Sequence, residues 1–196
     1  MHFCLSRKLT ASLLASILTG LMMTAVQATN HELDPELREL LQEAVASDHG
    51  FEDRFDAEVW LLDMSNRLER FVDEPKRRIT ILKQVHYESR RANLAPELVL
   101  ALIEVESAFD EFAISVSGAR GLMQIMPFWL EEIGLSDKNL FKIRTNLRMG
   151  CTILRYYLDM ESGNLTRALA RYNGSLGKYK YPNKVMKALN NRWFRQ

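Results

Sequence analysis

A glutamate near the end of an apolar helical run is the feature that most constrains this chain. The run Leu98–Phe109 is aliphatic apart from its last turn, and at about 100° per residue Leu102, Glu106 and Phe109 share one side of a helix. A carboxylate among aliphatic side chains must either find a partner or keep its proton near neutral pH. Glu106 is therefore either a salt-bridged structural carboxylate or a candidate general acid.

Glu104 lies about 200° from Glu106 around the same helix, so the two carboxylates point to different sides. Only one of them can face a cleft on a given side of the helix. We therefore expect that replacing Glu104 with glutamine leaves activity nearly unchanged, in contrast to the same change at Glu106.

The first 28 residues have the composition of a secretory signal peptide. Arg7 and Lys8 precede an apolar stretch at 9–26, and Val26-Gln27-Ala28 fits a small-x-small cleavage site. A membrane anchor fits less well, because Ser and Thr dilute the roughly 20 apolar residues that span a bilayer. We expect export, with the periplasm as the location and no stable membrane insertion after cleavage.

Helical periodicity dominates the remaining chain and predicts a mainly α fold. Residues 112–121 are rich in Ser, Gly and Ala, which favours a loop or at most a small β-hairpin. Predicted helices begin at Pro35, near Asp56, at Pro75 and at Pro96, and others cover Met126–Gly134, Asn146–Met160, Leu165–Tyr172 and the end of the chain.

Charge is unevenly distributed along the chain. Residues 29–90 carry 15 acidic and 9 basic side chains, whereas residues 91–196 carry 10 acidic and 15 basic ones. After Glu161 there are eight basic residues and no acidic one. Such a tail can indicate nucleic-acid binding, contact with carboxylates or a solvated helix face. Because an exported protein seldom meets nucleic acid, we expect no nucleic-acid partner. The change from acidic to basic composition leads us to place the domain boundary at residue 90.

Cysteine and histidine positions predict neither a disulfide nor a metal site. Cys4 lies in the signal peptide, and Cys151 sits in a helical apolar setting typical of a buried, inert thiol. His31, His49 and His86 lack the spacing of metal ligands. We expect no metal and no cofactor.

Three segments occur in a recognisable order. Glu106-Ser107-Ala108-Phe109 is followed by Gly121-Leu122-Met123-Gln124 with Met126-Pro127, and later by Ala168 to Asn173. With these segments, about residues 85–185 resemble the catalytic domain of the soluble-lytic-transglycosylase family, which cleaves bacterial peptidoglycan. Further positions that match are Ala113, Ser115, Gly118, Ala119, Asn146, Leu147 and Gly150.

The chain departs from the family pattern at three places. Glu111-Phe112 stands where a proline often follows Phe-Asp, and Gly174-Ser175 follows Asn173 where many members have Ala-Gly. Arg171 occupies a position where a small residue is common. None of these changes touches Glu106.

The resemblance implies a lysozyme-like catalytic domain at 91–196, preceded by an α-helical extension at 29–90. It implies that Glu106 protonates the leaving oxygen of the N-acetylmuramic acid–N-acetylglucosamine β-1,4 bond and then deprotonates the C6 hydroxyl, which gives a 1,6-anhydro product without water. Asp110 is expected to be structural, because the family's helix ends near Phe109.

The resemblance also implies the residues that meet the substrate, which is the glycan strand of peptidoglycan. Each candidate has a competing interpretation as a packing or turn residue, and Ser107 is expected to cap the helix or hydrogen-bond near the acid. The substrate-binding candidates are Ser107, Met123, Gln124, Tyr172 and Asn173.

Two other functions remain open at this stage. A hydrolytic muramidase on the same scaffold would let water attack C1, and a peptidoglycan-binding or assembly protein would use the acidic helices to recruit partners. Retention of Glu106 argues against a pure binder, which needs no acid in its cleft. No protein partner is specified by the sequence, and a monomer is expected.

Overall fold

The computed structural model describes residues 54–135 and 138–194. The predicted signal peptide, the predicted helix at Pro35 and Cys4 lie outside these residues. The helices are α1 (Arg54–Leu68), α2 (Pro75–Arg91), α3 (Pro96–Ser107), α4 (Phe128–Glu132), α5 (Ile143–Met160), α6 (Leu165–Tyr172) and α7 (Lys180–Ala188), which continues as a π-helical turn at Leu189–Trp193.

The predicted mainly α fold is confirmed. Within the described ranges, residues 112–125 form no strand but two isolated antiparallel bridges, Ile114 to Arg120 and Arg120 to Ile125. The predicted small hairpin is therefore reduced to a tight loop. Among the helices that the structure describes, none combines the length and apolar character needed to cross a bilayer.

Local sequence signals account for most helix ends. Proline occupies the first turn of α2 and α3, where its fixed φ suits the helix and its missing N–H costs no bond. At α6, the Asn164 side chain accepts a hydrogen bond from the backbone N–H of Arg167. α5 begins at Ile143, three residues before the predicted start at Asn146.

The helix α3 forms the centre of the core. Every residue from Leu98 to Ile103 is buried, so this helix is apolar all round. It packs against α2, α7 and the π-helical turn. A helix enclosed in this way places its C-terminal end, with Glu104 and Glu106, at the junction of several elements.

A buried ion-pair network joins α2 to α5. The Glu88 carboxylate is inaccessible to solvent and accepts hydrogen bonds from Arg148 Nε at 2.9 Å and from Arg91 Nε at 2.7 Å. Arg91 Nη2 also donates to Thr152 Oγ1 at 2.7 Å. Residue 90, the predicted domain boundary, lies one residue before the end of α2, and the division into domains remains a prediction.

We expect Glu88→Ala to lower the free energy of unfolding by about 3–5 kcal/mol, because it leaves Arg148 buried without its carboxylate. The matched control is Glu69→Ala. Glu69 is 69% exposed and pairs with Arg78 at 3.4 Å, so its loss should cost less than about 1 kcal/mol. Equal losses in urea denaturation would show that the buried pair is not important for stability.

Candidate active site

Glu106 occupies the next-to-last position of α3 and is partly buried. The Tyr181 hydroxyl donates a hydrogen bond of 2.5 Å to Glu106 Oε1. Burial raises the pKa of the Glu106 carboxyl from 4.5 to about 7, and the Tyr181 hydrogen bond opposes part of that increase. Near neutral pH the group therefore exchanges its proton readily, as a general acid or base requires.

Two tyrosines surround this carboxyl group. Burial and the negative charge of Glu106 raise the pKa of Tyr181 well above its ordinary value. The same two causes raise the pKa of Tyr172. Both hydroxyls therefore keep their protons at physiological pH and act as hydrogen-bond donors.

The helix stops abruptly after Glu106. Ala108 and Phe109 both adopt positive φ, at 49° and 66°, which ends the helix within two residues of the carboxyl group. The predicted helix end near Phe109 is confirmed. Asp110, which would share the Glu106 face on a longer helix, instead accepts the backbone N–H of Phe112 at 2.9 Å in an exposed turn.

Asn146 on α5 organises the loop that faces Glu106. Its Oδ1 accepts the Met123 N–H at 2.7 Å, and its Nδ2 donates to the carbonyls of Arg120 at 2.8 Å and Leu140 at 2.9 Å. Gly121 has a φ of 74°, and a Cβ there would lie 2.5 Å from Asn146 Nδ2. The glycine is therefore required both by its backbone conformation and by the close approach of this amide.

Ser107 ties the same loop to α3. Its hydroxyl lies 2.9 Å from the carbonyl oxygen of Leu122 and 3.3 Å from that of Ile103. The expectation of a hydrogen bond near the acid agrees with this geometry. Ser107 directly follows Glu106, and its hydroxyl therefore holds this loop against the end of α3.

Met123 lies in the core and not on an open surface. It is 0% exposed, and a Cβ at Gly150 would lie 2.4 Å from its sulfur. Only glycine on α5 leaves room for this side chain. A sugar cannot contact the Met123 side chain in this conformation, so the structure places it behind the site.

The side-chain amide of Gln124 is partly used inside the loop. Its Nε2 donates to the carbonyls of Gly121 at 2.9 Å and Ala113 at 3.2 Å. The backbone of Gln124 has a φ of 51°, a left-handed conformation that these two bonds help to hold.

Tyr172 and Asn173 follow each other at the end of α6. The Tyr172 hydroxyl donates a hydrogen bond to the Met123 carbonyl at 2.8 Å, whereas the hydroxyl that donates to Glu106 is that of Tyr181. Asn173 is the C-cap residue of α6 and is exposed. Tyr172 thus supports the loop, whereas the Asn173 side chain is available at the surface.

Sequence reasoning did not identify Tyr181. The spacing of Tyr181, Val185 and Ala188 places them on one buried face of α7, which signals burial of the tyrosine. Its partner lies 75 positions earlier in the chain, however, and no local pattern indicates that contact.

Glu104 has different partners from Glu106, and the expectation that Glu104→Gln leaves activity nearly unchanged stays a prediction. The Glu104 carboxylate is only 15% exposed and accepts from Arg192 Nε at 2.7 Å, Arg192 Nη2 at 2.9 Å and Trp193 Nε1 at 2.8 Å. Glu104 therefore anchors the C-terminal segment on α3, and that segment follows directly after the helix that carries Tyr181.

We expect Glu104→Gln to lower the free energy of unfolding by about 1.5–3 kcal/mol, because Arg192 loses its anionic partner and one of the two acceptor oxygens becomes an amide NH₂ group. Asp159→Asn is the control: Asp159 is 65% exposed and pairs with Arg155 one helical turn away. Its replacement should change the unfolding free energy by less than about 0.5 kcal/mol. A Glu104→Gln protein as stable as the wild type would refute the anchoring role.

We expect Glu106→Gln to be more stable than the wild type at high pH. Below about pH 4.5 the Glu106 carboxyl group is protonated in both the folded and the unfolded chain. Its titration therefore causes no difference in unfolding free energy between the wild type and the variant. Between pH 4.5 and 7 the unfolded chain loses this proton first, and wild-type stability falls relative to the variant.

Above pH 7 this difference should stay constant at about 3 kcal/mol, the free energy that corresponds to a pKa change from 4.5 to about 7. Urea denaturation of both proteins from pH 4 to pH 8 measures it. Parallel stability curves of the two proteins over that pH range would mean that folding does not change the pKa of the Glu106 carboxyl group.

Comparison with known proteins agrees with this geometry. The family model of the transglycosylase SLT domain matches residues 84–194. A transglycosylase of Enterobacteria phage PRD1 is 34% identical over 109 residues, which cover 52% of this chain and 40% of the relative. Membrane-bound lytic murein transglycosylase F of Desulfosudis oleivorans is 34% identical over 106 residues, 50% of this chain and 23% of the relative.

Over a shorter stretch of 46 residues, the chain is 44% identical to membrane-bound lytic murein transglycosylase C of Actinobacillus pleuropneumoniae serotype 5b. The chain thus spans less than half the length of the relatives that it matches. The family model, by contrast, covers more than half of the chain and includes every helix from α3 onward. This mainly α, lysozyme-like chain belongs to the transglycosylase SLT domain family.

Proposed function

We propose that this protein is a lytic transglycosylase that cleaves the glycan strands of peptidoglycan, with Glu106 as its acid and base. One observation carries the proposal: a partly buried carboxyl group with a pKa of about 7, oriented by Tyr181, stands at the end of the central helix. The names of the matched relatives support the same activity.

In the first step, protonated Glu106 gives its proton to the oxygen that bridges N-acetylmuramic acid C1 and N-acetylglucosamine C4. The C1–O bond breaks, and the electron pair leaves with that oxygen. The positive charge at C1 is shared with the substrate's own N-acetyl group, an alternative to a second carboxylate. The Tyr181 hydrogen bond stabilises Glu106 as it becomes an anion.

In the second step, ionised Glu106 takes the proton of the C6 hydroxyl. The C6 oxygen bonds to C1 and closes the 1,6-anhydro ring, and Glu106 is again protonated. One residue therefore serves in both steps. A pKa near 7 suits this exchange, because both protonation states are populated at neutral pH.

Hydrolysis by a muramidase is the second candidate, and the environment of Asp110 argues against it. An inverting hydrolase needs a second carboxylate about 6.5–9.5 Å from the acid to activate water. Asp110 uses Oδ1 to hold its own turn. Glu104 is bound to Arg192 and Trp193, and Glu111 pairs with Arg77.

We assign the remaining site residues two kinds of role. The first is to hold the loop next to Glu106. Ser107 contacts the Leu122 carbonyl, the Met123 side chain packs at Gly150, and Tyr172 contacts the Met123 carbonyl. Gln124 and Asn173 supply amides for the sugar hydroxyl or N-acetyl groups. The exposed position of Asn173 supports its assignment most directly.

We also propose that the protein is exported and acts in the cell envelope as a monomer. The basic and apolar pattern of residues 1–28 supports export, and peptidoglycan as substrate requires it. The names of two matched relatives, both membrane-bound lytic murein transglycosylases, support an envelope location. The helices before residue 90 would form an extension to the catalytic domain.

We expect Glu106→Gln to fold normally and to lose activity by a factor of about 10²–10⁴. Mass spectrometry of fragments released from purified peptidoglycan measures both rate and product, and the wild type should release 1,6-anhydro ends. Unchanged activity in the variant would refute the role of Glu106. Fragments with reducing ends would identify a hydrolase, and bound but intact peptidoglycan would identify a non-catalytic protein.

A further inference from the structure

A phenylalanine that precedes the family match contacts the end of the site described above. The match begins at residue 84, whereas Phe71 lies in the turn between α1 and α2 and is partly buried. Its ring centroid is 5.3 Å from that of Phe109 and 6.3 Å from that of Trp193. The rings of Phe109 and Trp193 are themselves 5.5 Å apart. Phe71, Phe109 and Trp193 therefore form an aromatic cluster in which each ring contacts the other two.

Phe109 needs the support of this aromatic cluster, because its backbone conformation is unfavourable. Its φ of 66° lies in the left-handed region, which a bulky side chain rarely adopts, and the φ of Ala108 before it is 49°. Such conformations persist only where the surrounding contacts hold them. Phe109 is only 4% exposed, so packing supplies those contacts. Phe71 therefore helps to hold the turn that ends α3, three residues after Glu106.

The same ring also packs against the segment that follows α7. Trp193 closes the π-helical turn that continues α7, and the guanidinium carbon of Arg192 lies 5.5 Å from the centroid of the Phe71 ring. From α1, Arg67 Nη1 donates a hydrogen bond of 2.7 Å to the Arg192 carbonyl. Phe71 and Arg67 together attach this turn to the helices that precede the family match.

These contacts bear on the hydrogen bond between Glu106 and Tyr181. The two residues lie on different helices, so their separation of 2.5 Å depends on how the end of α3 is placed relative to α7. Phe71 contacts the continuation of each helix, Phe109 after Glu106 and Trp193 after Tyr181. Because a hydrogen bond weakens steeply with distance and misalignment, a small shift of either continuation changes the orientation of the carboxyl group.

We propose that Phe71 is a positioning residue for the reaction: through the aromatic cluster it holds Glu106 against Tyr181. The inference rests on the proposed function, because it concerns the orientation of the acid in that reaction. Phe71 acts through Phe109 and Trp193 and not on the substrate. The helices before residue 84 thereby take part in catalysis, although they lie outside the family match.

The test is a double-mutant cycle of Phe71→Leu and Tyr181→Phe, with kcat and KM measured on a soluble peptidoglycan oligosaccharide. We expect Phe71→Leu to lower kcat about tenfold, and by no more than Tyr181→Phe does, with KM changed by less than about twofold. In the Tyr181→Phe background the same change should lower kcat by less than about twofold, because the bond that Phe71 supports is already absent. A merely structural role would give the same loss in both backgrounds.

Two controls separate positioning from general stability. Phe71→Tyr keeps the ring and should keep kcat within about twofold of the wild type. Trp60→Leu changes another aromatic residue of α1, whose indole donates to Glu97 at 2.8 Å. Glu97 precedes Glu106 by nine residues, or about 13 Å along α3, so this variant should lower Tm but not kcat. All rates are measured at a temperature at which thermal unfolding shows each variant to be folded.

Arg67→Gln is a milder second variant, which serves if Phe71→Leu does not fold. Arg67 is 30% exposed, and its replacement weakens the attachment of the Arg192 carbonyl without opening the aromatic cluster. We expect a smaller loss of kcat that again disappears in the Tyr181→Phe background.

Titration of the Glu106 carboxyl carbon by ¹³C NMR tests the inference without activity. The titratable side chains that the structure places beside Glu106 are Tyr181 of α7 and Tyr172 of α6, and both stay neutral near pH 7. A weaker Tyr181 hydrogen bond stabilises the Glu106 anion less, so Phe71→Leu should raise the midpoint above that of the wild type. It should cause no further rise in the Tyr181→Phe background. If the wild type showed this shift but did not cleave peptidoglycan, the proposed function alone would be refuted.

Four results would overturn the positioning role. They are a kcat of Phe71→Leu equal to that of the wild type, the same loss of kcat in both backgrounds, and an equal loss in Trp60→Leu. The fourth is a midpoint in Phe71→Leu that stays at the wild-type value or falls toward 4.5, since a fall would mean that the substitution only admits water to the site.

Discussion

The central helix α3 ends in two carboxylates, and the need to satisfy both fixes how α7 and the π-helical turn after it pack. A buried or partly buried carboxylate without partners costs several kcal/mol, so each must be neutralised, hydrogen-bonded or protonated. Glu104 is satisfied by Arg192 and Trp193, whereas Glu106 receives a hydrogen bond from Tyr181. The two contacts fix α7 and the turn after it against the same helix end.

The difference between these two glutamates explains why only one is suited to chemistry. Glu104 accepts two hydrogen bonds from the Arg192 guanidinium and one from the Trp193 indole, so its carboxylate is used to hold the C-terminal segment. Glu106 has a neutral donor and more apolar surroundings, so burial raises its pKa to about 7. The two glutamates therefore have different roles: Glu104 holds the C-terminal segment, and Glu106 is the candidate acid. The rotation of about 200° between them places them in these different surroundings.

Local signals in the sequence predict the helices and the importance of Glu106, but not its partner. The predicted helix starts at Pro75 and Pro96 are confirmed by the structure. Contacts between distant parts of the chain were not predictable, since Tyr181 is 75 residues from Glu106 and Trp193 is 89 residues from Glu104. Met123 is buried because Gly150 leaves space for it, which spacing alone does not reveal.

The most direct test of this account is the titration of the Glu106 carboxyl carbon by ¹³C NMR, assigned by comparison with Glu106→Gln. The account predicts a midpoint near pH 7 in the wild type and a higher midpoint in Tyr181→Phe, because the tyrosine hydrogen bond stabilises the anion. A wild-type midpoint near 4.5, the value of an unperturbed glutamate, would contradict the claim that burial keeps this group protonated.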